Sequence, residues 1–321
     1  MNRRNLLALL GAPLLGALAT GTSRADAPAS APCRAPGRAP DAVLPLWPGT
    51  PPGGGGPRGA VASGPRDARR TIARPSLTLF HPDRPTDTVI LIASGGGYRR
   101  IEDGNEALPA ARWLAGRGIA AAVLDYRLPG EGWKAAAAAP LQDARRALRL
   151  IRAGASGTAP TRVGLLGFSA GAHLLALTAG AAPMGDYPPV DATDATVGSA
   201  DFAAFIYPVL SLSPDLTPTS TQRLLAGRHP SPGEAARWSA ETYVTPAFPP
   251  SFLVQAADDP VSDPRQAPLI ARACEGAGVP VELHRLPSGG HGFGMGRPGT
   301  PSADWPRWYA AWLAHPATSH G

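Results

Sequence analysis

The chain of 321 residues carries a formal net charge of +6 together with 38 Gly and 38 Pro. The positive excess is confined to the first part of the chain: residues 1–27 hold +2 and residues 28–74 hold +5, which leaves −1 for residues 75–321. A nucleic-acid binder concentrates positive charge on its folded face, so that class is excluded for the folded part.

At the N-terminus, Arg3 and Arg4 precede an apolar stretch over residues 6–20 that is too short to span a bilayer comfortably. Small-residue cleavage patterns follow at Ala17-Leu18-Ala19 and Ala25-Asp26-Ala27. Residues 1–27 therefore read as a signal peptide, and Arg3-Arg4-Asn5-Leu6-Leu7 fits a twin-arginine core imperfectly. The expected location is secreted or periplasmic, with no stable membrane insertion once the signal is removed. Residues 28–74 are dominated by Pro, Gly, Ala and Arg and hold too little apolar surface to offset ordering entropy. They are expected to form a flexible lead-in draped over the domain near Leu46-Trp47-Pro48-Gly49. Residues 75–321 suffice for one α/β domain. Cys33 and Cys274 could pair in an oxidising compartment or stay as two thiols.

Within that domain, residues 77–80 and 88–93 read as strands, the second a continuous apolar run of the buried parallel kind. It ends in Ser94-Gly95-Gly96-Gly97-Tyr98, where missing Cβ atoms let backbone N–H groups approach a ligand. No Lys-Ser/Thr follows the glycines, which argues against a phosphate loop. Residues 106–117 predict a helix and 119–124 a second buried strand. Leu141, Ala144, Leu148 and Ile151 recur at helical spacing, with Arg145, Arg146 and Arg149 expected on a solvated face. Further strands are expected over 163–166, 202–207, 251–256 and 281–285, and a helix over 265–277. Residues 208–250 form a Pro-rich excursion. Strands alternating with helices imply a mainly parallel sheet covered on both faces.

Gly167-Phe168-Ser169-Ala170-Gly171 lies between the 163–166 strand and an Ala/Leu-rich helical run. That is the context of a nucleophile elbow, whose flanking glycines make room for a strained turn. Asp258-Asp259 follows the 251–256 strand, and His291 sits in Gly289-Gly290-His291-Gly292-Phe293 after the last strand. Serine, acid and histidine fall in the order of an α/β-hydrolase triad, each just past a strand end. The imidazole would take the serine proton, the carboxylate would fix its tautomer, and the N–H groups of Ala170, Gly96 and Gly97 would meet the oxyanion. Either adjacent carboxylate could serve, but neighbouring side chains point to opposite sides of an extended segment. No cofactor or metal is called for, because the remaining His residues are scattered.

From Leu46-Trp47-Pro48-Gly49 to Trp312-Leu313 the chain resembles the secreted α/β-hydrolase esterases close to acetylxylan esterases and other polysaccharide deacetylases. The resemblance is carried by Gly95-Gly96-Gly97-Tyr98, Asp125-Tyr126-Arg127-Leu128-Pro129, Gln142-Asp143-Ala144, Gly167-Phe168-Ser169-Ala170-Gly171 and Gly290-His291-Gly292-Phe293. It implies a mostly parallel sheet with helices on both faces and a serine ester hydrolase acting on short acyl groups of an acylated carbohydrate or small ester. A lipase-like carboxylesterase, a serine peptidase of the same fold and a non-catalytic binding protein are the alternatives. In that family the triad acid precedes a short turn containing Pro or Val, and Asp259-Pro260-Val261 matches in register. Asp258 would then face the loop interior or solvent, where it could cap the turn through backbone N–H groups. Ser94 stands where the family often has Pro, which would change how the glycine loop is braced; His173 is expected to be a structural hydrogen-bonder beneath the site.

Overall fold

The computed structural model describes residues 39–84, 86–157 and 159–314. Mostly apolar runs of five to seven residues, each ended by a polar or Gly-containing loop, become the central strands of the main sheet. The chain forms β1 (Ala42–Pro45), β2 (Ala62–Ser63), β3 (Ala68–Arg70), β4 (Ser76–Phe80), β5 (Thr88–Ala93), β6 (Ile101–Glu102), α1 (Ala107–Ala115) and β7 (Ala120–Asp125). There follow α2 (Ala139–Arg152), β8 (Arg162–Phe168), α3 (Ala170–Ala179), β9 (Phe202–Ile206), α4 (Ser220–Leu225) and α5 (Pro232–Arg237). β10 (Ser251–Ala256), α6 (Gln266–Gly276), β11 (Val281–Leu286) and α7 (Trp305–Ala314) complete the order.

Eight strands make one sheet in the order β1-β4-β7-β5-β8-β9-β10-β11. The pairs from β7 to β11 are parallel, whereas β1–β4 and β4–β7 are antiparallel. Alternation along β5 sorts the core: Val89, Leu91 and Ala93 join a cluster with α2, α3 and α6, while Ile90 and Ile92 join one with α1 and α7. After β5 the sheet grows first toward β7 and then, from β8, in the other direction. The carboxyl ends of β5 and β8 are therefore a topological switch point, where open α/β sheets leave a crevice.

Three expectations are corrected. The part of the lead-in from residue 39 to 74 is built into the fold. β1 is the edge strand of the main sheet, β2 and β3 form a small antiparallel sheet with β6, and Leu46, Trp47 and Ile72 are buried. Composition underrated this segment because it is ordered by backbone pairing and a few deeply placed side chains, which its Pro- and Gly-rich make-up conceals. The second correction is Arg146, which is buried and pairs with Asp191 and Asp194 while donating to the Leu46 carbonyl. The third is α7, absent from the expected elements. Its Trp305, Tyr309, Trp312 and Leu313 are buried at helical spacing, and Pro306 is tolerated in its first turn. The segment read as a signal peptide, Cys33 and the lead-in up to residue 38 lie outside the described residues. Cys274 is a buried free thiol, and among the described residues no helix is long and apolar enough to cross a membrane.

Candidate active site

Ser169 joins β8 to α3 with φ 50 and ψ −117, outside the regions an L-residue normally occupies. The turn is possible because both flanks are glycine. A Cβ on Gly167 would lie 2.4 Å from the Ala172 Cα, and one on Gly171 2.1 Å from the Ala93 carbonyl oxygen. The Ser169 hydroxyl is thereby carried to the switch point, at the N-terminus of α3.

His291 Nε2 lies 2.8 Å from Ser169 Oγ, and its Nδ1 lies 2.8 Å from Asp259 Oδ2. A carboxylate can only accept, so Nδ1 carries the proton and Nε2 is left to accept from the serine. Asp259 is itself fixed: Oδ1 accepts from the N–H groups of Val261 and Ser262, each at 2.8 Å, and Oδ2 from Gln255 Nε2 at 3.2 Å. Asp258 turns the other way and accepts the Gly290 N–H at 2.8 Å. One carboxylate thus holds the imidazole and its neighbour holds the loop that carries it.

The glycine loop after β5 faces Ser169. Gly96 and Gly97 have φ of +114 and +61; a Cβ on Gly97 would sit 1.9 Å from Ser220 Oγ of α4. Among the described residues, no hydrogen bond engages the N–H groups of Gly96, Gly97 or Ala170, which leaves them available to a ligand oxygen. Tyr98 anchors the far end of the loop: its hydroxyl donates to His173 Nδ1 at 2.9 Å, and His173 Nε2 donates to the Trp238 carbonyl at 2.7 Å. Burial pulls His173 down to about 4, so it is a neutral structural link. At the near end, Ser94 Oγ donates to Asp103 at 2.8 Å. Arg69 of β3 spans Asp103 and Asp125 behind it. The serine in place of proline therefore ties the loop to a buried ionic cluster that the lead-in completes.

Two further residues escaped the sequence reading. Glu106, fully buried at the start of α1, accepts the Gly95 N–H at 2.5 Å and the Tyr207 O–H at 2.9 Å. Burial raises it from its ordinary 4.5 to about 7. Tyr207 follows β9 and sets its ring 5.0 Å from that of His291. The available signals were a polar aromatic just past a parallel strand and a lone acid opening an apolar helix. Both are weak signals in a sequence alone.

These groups border a cleft of about 380 Å³, lined by Ser169, His291, Gly96 and Gly97 and otherwise mostly by polar side chains such as Arg99, Asn105 and Thr219. A larger cavity, about 540 Å³, beside Trp47 and Trp133 shares no lining residue with it. No group of three or more His, Cys, Asp or Glu side chains among the described residues could hold a metal ion.

A family model described as BD-FAE matches residues 77–273, from β4 into α6, and so includes Ser169 and Asp259. An acetylxylan esterase of Xylanibacter ruminicola is 29% identical over 231 residues, covering 68% of this chain and 44% of that protein. The chain thus spans less than half the length of that curated relative. The crystal structure of an acetyl ester-xyloside bifunctional hydrolase from Caldicellulosiruptor lactoaceticus is similar with a TM-score of 0.70 and 30% identity, covering 85% of this chain and 95% of the other. A propionate-bound thermophilic esterase, Est2 of Thermogutta terrifontis, matches with a TM-score of 0.62 and 26% identity, over 75% of this chain and 88% of the other.

Proposed function

Since the chain belongs to the BD-FAE family and has the α/β-hydrolase fold, we propose that it is a serine carboxylic-ester hydrolase removing short acyl groups, acetyl foremost, from an oligo- or polysaccharide. The observation that carries this is the continuous Ser169–His291–Asp259 hydrogen-bond chain at the strand ends, with both bonds at 2.8 Å. In this reading Ser169 Oγ attacks the ester carbonyl carbon while its proton passes to His291 Nε2. The carbonyl oxygen, now negative, is met by the N–H groups of Gly96, Gly97 and Ala170. The tetrahedral adduct collapses, the bond to the sugar oxygen breaks, and His291 returns the proton to that oxygen. Water then attacks the acyl-serine by the same route, releasing the carboxylic acid and restoring the hydroxyl.

Support for a short acyl group on a sugar comes from the relatives' acetylxylan and acetyl ester-xyloside activities and from the cleft itself. Val209 and Val261 are the aliphatic side chains lining it beside Arg99, Arg100, Glu102, Asn105, Thr219, Ser220 and Thr221. Such walls suit a hydroxylated alcohol and give a long hydrocarbon chain little to bury against. Export through residues 1–27 belongs to the same proposal, since an acylated polysaccharide lies outside the cell.

Acetate release from acetylated xylan and acetylated pectin, run beside a p-nitrophenyl ester series, tests this reading. Acetyl esters should be cleaved faster than octanoyl esters, and Ser169→Ala should retain a folded protein with turnover lower by several orders of magnitude. A steady rise of kcat/KM with acyl length would point instead to a lipase-like carboxylesterase. More than a few per cent of activity in folded S169A would remove Ser169 as the nucleophile.

A further inference from the structure

We infer that Glu106 is a positioning residue that keeps the two halves of the reaction centre in register, holding the glycine loop through the Gly95 N–H and the His291 ring through the Tyr207 hydroxyl. The inference rests on the hydrolase reading above and adds to it a residue at the base of the cleft that acts through Gly95 and Tyr207.

The geometry is that of a two-sided clamp. One carboxylate oxygen of Glu106 accepts from Gly95, the residue that leads into the Gly96 and Gly97 donors. The other accepts from Tyr207, whose ring packs edge-on against His291 and whose oxygen accepts the Gly294 N–H at 3.2 Å. Asn105, one residue earlier, donates to the Gly292 carbonyl at 3.1 Å, so the same turn also grips the histidine loop just after His291. There is little slack at Gly95, since a Cβ there would lie 2.7 Å from the Ser169 Cβ. A small shift of that peptide moves the N–H groups that follow relative to the serine.

The clamp needs a carboxylate rather than any polar group of the same shape. Gly95 N–H is a donor only, and the Tyr207 hydroxyl already accepts from Gly294, so its own hydrogen must go to Glu106. Ionised Glu106 accepts both donors. Protonated, it offers an O–H where an acceptor is required, and one buried donor is orphaned. Burial places this protonation near pH 7. The groups that face Glu106 are His291 and Glu102, with Tyr126 and Tyr207 alongside and Arg297 acting on Tyr207. His291 favours the carboxylate and Glu102 opposes it. Glutamine mimics the protonated state: it keeps an acceptor for Gly95 and presents an NH₂ donor to Tyr207.

Steady-state kinetics of a short p-nitrophenyl ester between pH 5 and 9 on wild type, Glu106→Gln, Tyr207→Phe and Ser169→Ala test the clamp. In E106Q, kcat should fall about tenfold to a hundredfold at pH 8.5 with KM within about threefold, because misaimed oxyanion donors cost the transition state more than the ground state. The acid limb should change as well. Wild type should lose activity as Glu106 takes up a proton near pH 7, a step that E106Q should lack. Y207F keeps the ring but removes a donor to the carboxylate, so its Glu106 step should move to higher pH. A merely structural role would lower the active fraction and leave the limb of the surviving enzyme unchanged. Folded E106Q with wild-type kcat and the wild-type acid limb, beside an inactive S169A, overturns the clamp and leaves the hydrolase reading standing. Should E106Q not fold, an acid limb in Y207F identical to wild type overturns it equally. Activity retained in folded S169A would instead overturn the reading on which the clamp rests.

Discussion

A strained Ser169, at φ 50 and ψ −117, stores on the order of 1–3 kcal/mol that the packing around Gly167 and Gly171 must sustain. Glu106 is a second local cost. Its rise from 4.5 to about 7 means the folded chain keeps a proton that the unfolded chain has released, so stability falls as pH rises through that window and levels off above it. The loss amounts to about 3 kcal/mol. Sites that perform chemistry commonly carry such costs. Adjacent carboxylates separate cleanly by what they touch. Asp259→Asn should lower kcat by about 10³–10⁴-fold with little change in KM, because the amide favours the wrong imidazole tautomer. Asp258→Asn retains an oxygen to accept the Gly290 N–H and should stay within about threefold of wild type, with any loss chiefly in stability. Ester kinetics on the two folded variants check this, and the reverse ranking would transfer the role to Asp258.

Between elements, a buried ionic junction binds α2 to the segment before β2. Arg127 and Asp143 are fully buried and bonded at 2.9 Å; Asp143 also accepts Trp47 Nε1 at 2.8 Å, and Arg127 donates to the Pro52 carbonyl at 3.1 Å. Further donors of Arg127 go to the Ala139 carbonyl and to Gln142 Oε1. A paired buried charge is stable only while its partner remains. Asp143→Ala should therefore lower unfolding free energy by about 3–5 kcal/mol, with Asp143→Asn intermediate. The urea midpoint measures it, and a change under about 1 kcal/mol would show that water or rearrangement satisfies Arg127. Motifs that look separate in sequence, Asp125 to Pro129 and Gln142 to Ala144, are thus two sides of one ionic joint.

Across the whole molecule, the sheet order brings β5 and β8 together at the switch point, so that the glycine loop and Ser169 meet although 72 to 74 positions separate Ser169 from Gly95, Gly96 and Gly97. The small sheet of β2, β3 and β6 then braces the loop from the far side, with Arg69 closing over Asp103 and Asp125. A chain starting at Pro75 lacks β1, Trp47 and Arg69, and should unfold at markedly lower urea than a chain starting at Ala39, or fail to fold at all. Circular dichroism with urea titration on the two compares them directly. Equal stability would mean that the segment 39–74 adds nothing to the domain.

Sequence by itself determined the local grammar of this protein. The runs at Thr88–Ala93 and Ser251–Ala256 were legible as strands because nearly every residue is apolar or small and each run ends in a polar or Gly-rich loop. Ser169 was nameable as the turn residue because a sharp strand-to-helix turn demands glycines at fixed offsets, and His291 and the Asp258-Asp259 pair because they follow strand ends in the right order; the family resemblance pointed to Asp259 within that pair. Tertiary structure alone decided the rest. Trp47 and the 39–74 segment are ordered by partners about 30 to 100 positions away, which no window of composition can register. Arg146 looks solvated on a helical wheel and is buried because Asp191 and Asp194 arrive over it. Glu106 has no motif; its significance lies in Gly95 and Tyr207, 11 and 101 positions away, converging on one carboxylate. Periodicity and turn chemistry are short-range and so are written locally, whereas burial of a polar group depends on which distant donors the fold delivers to it.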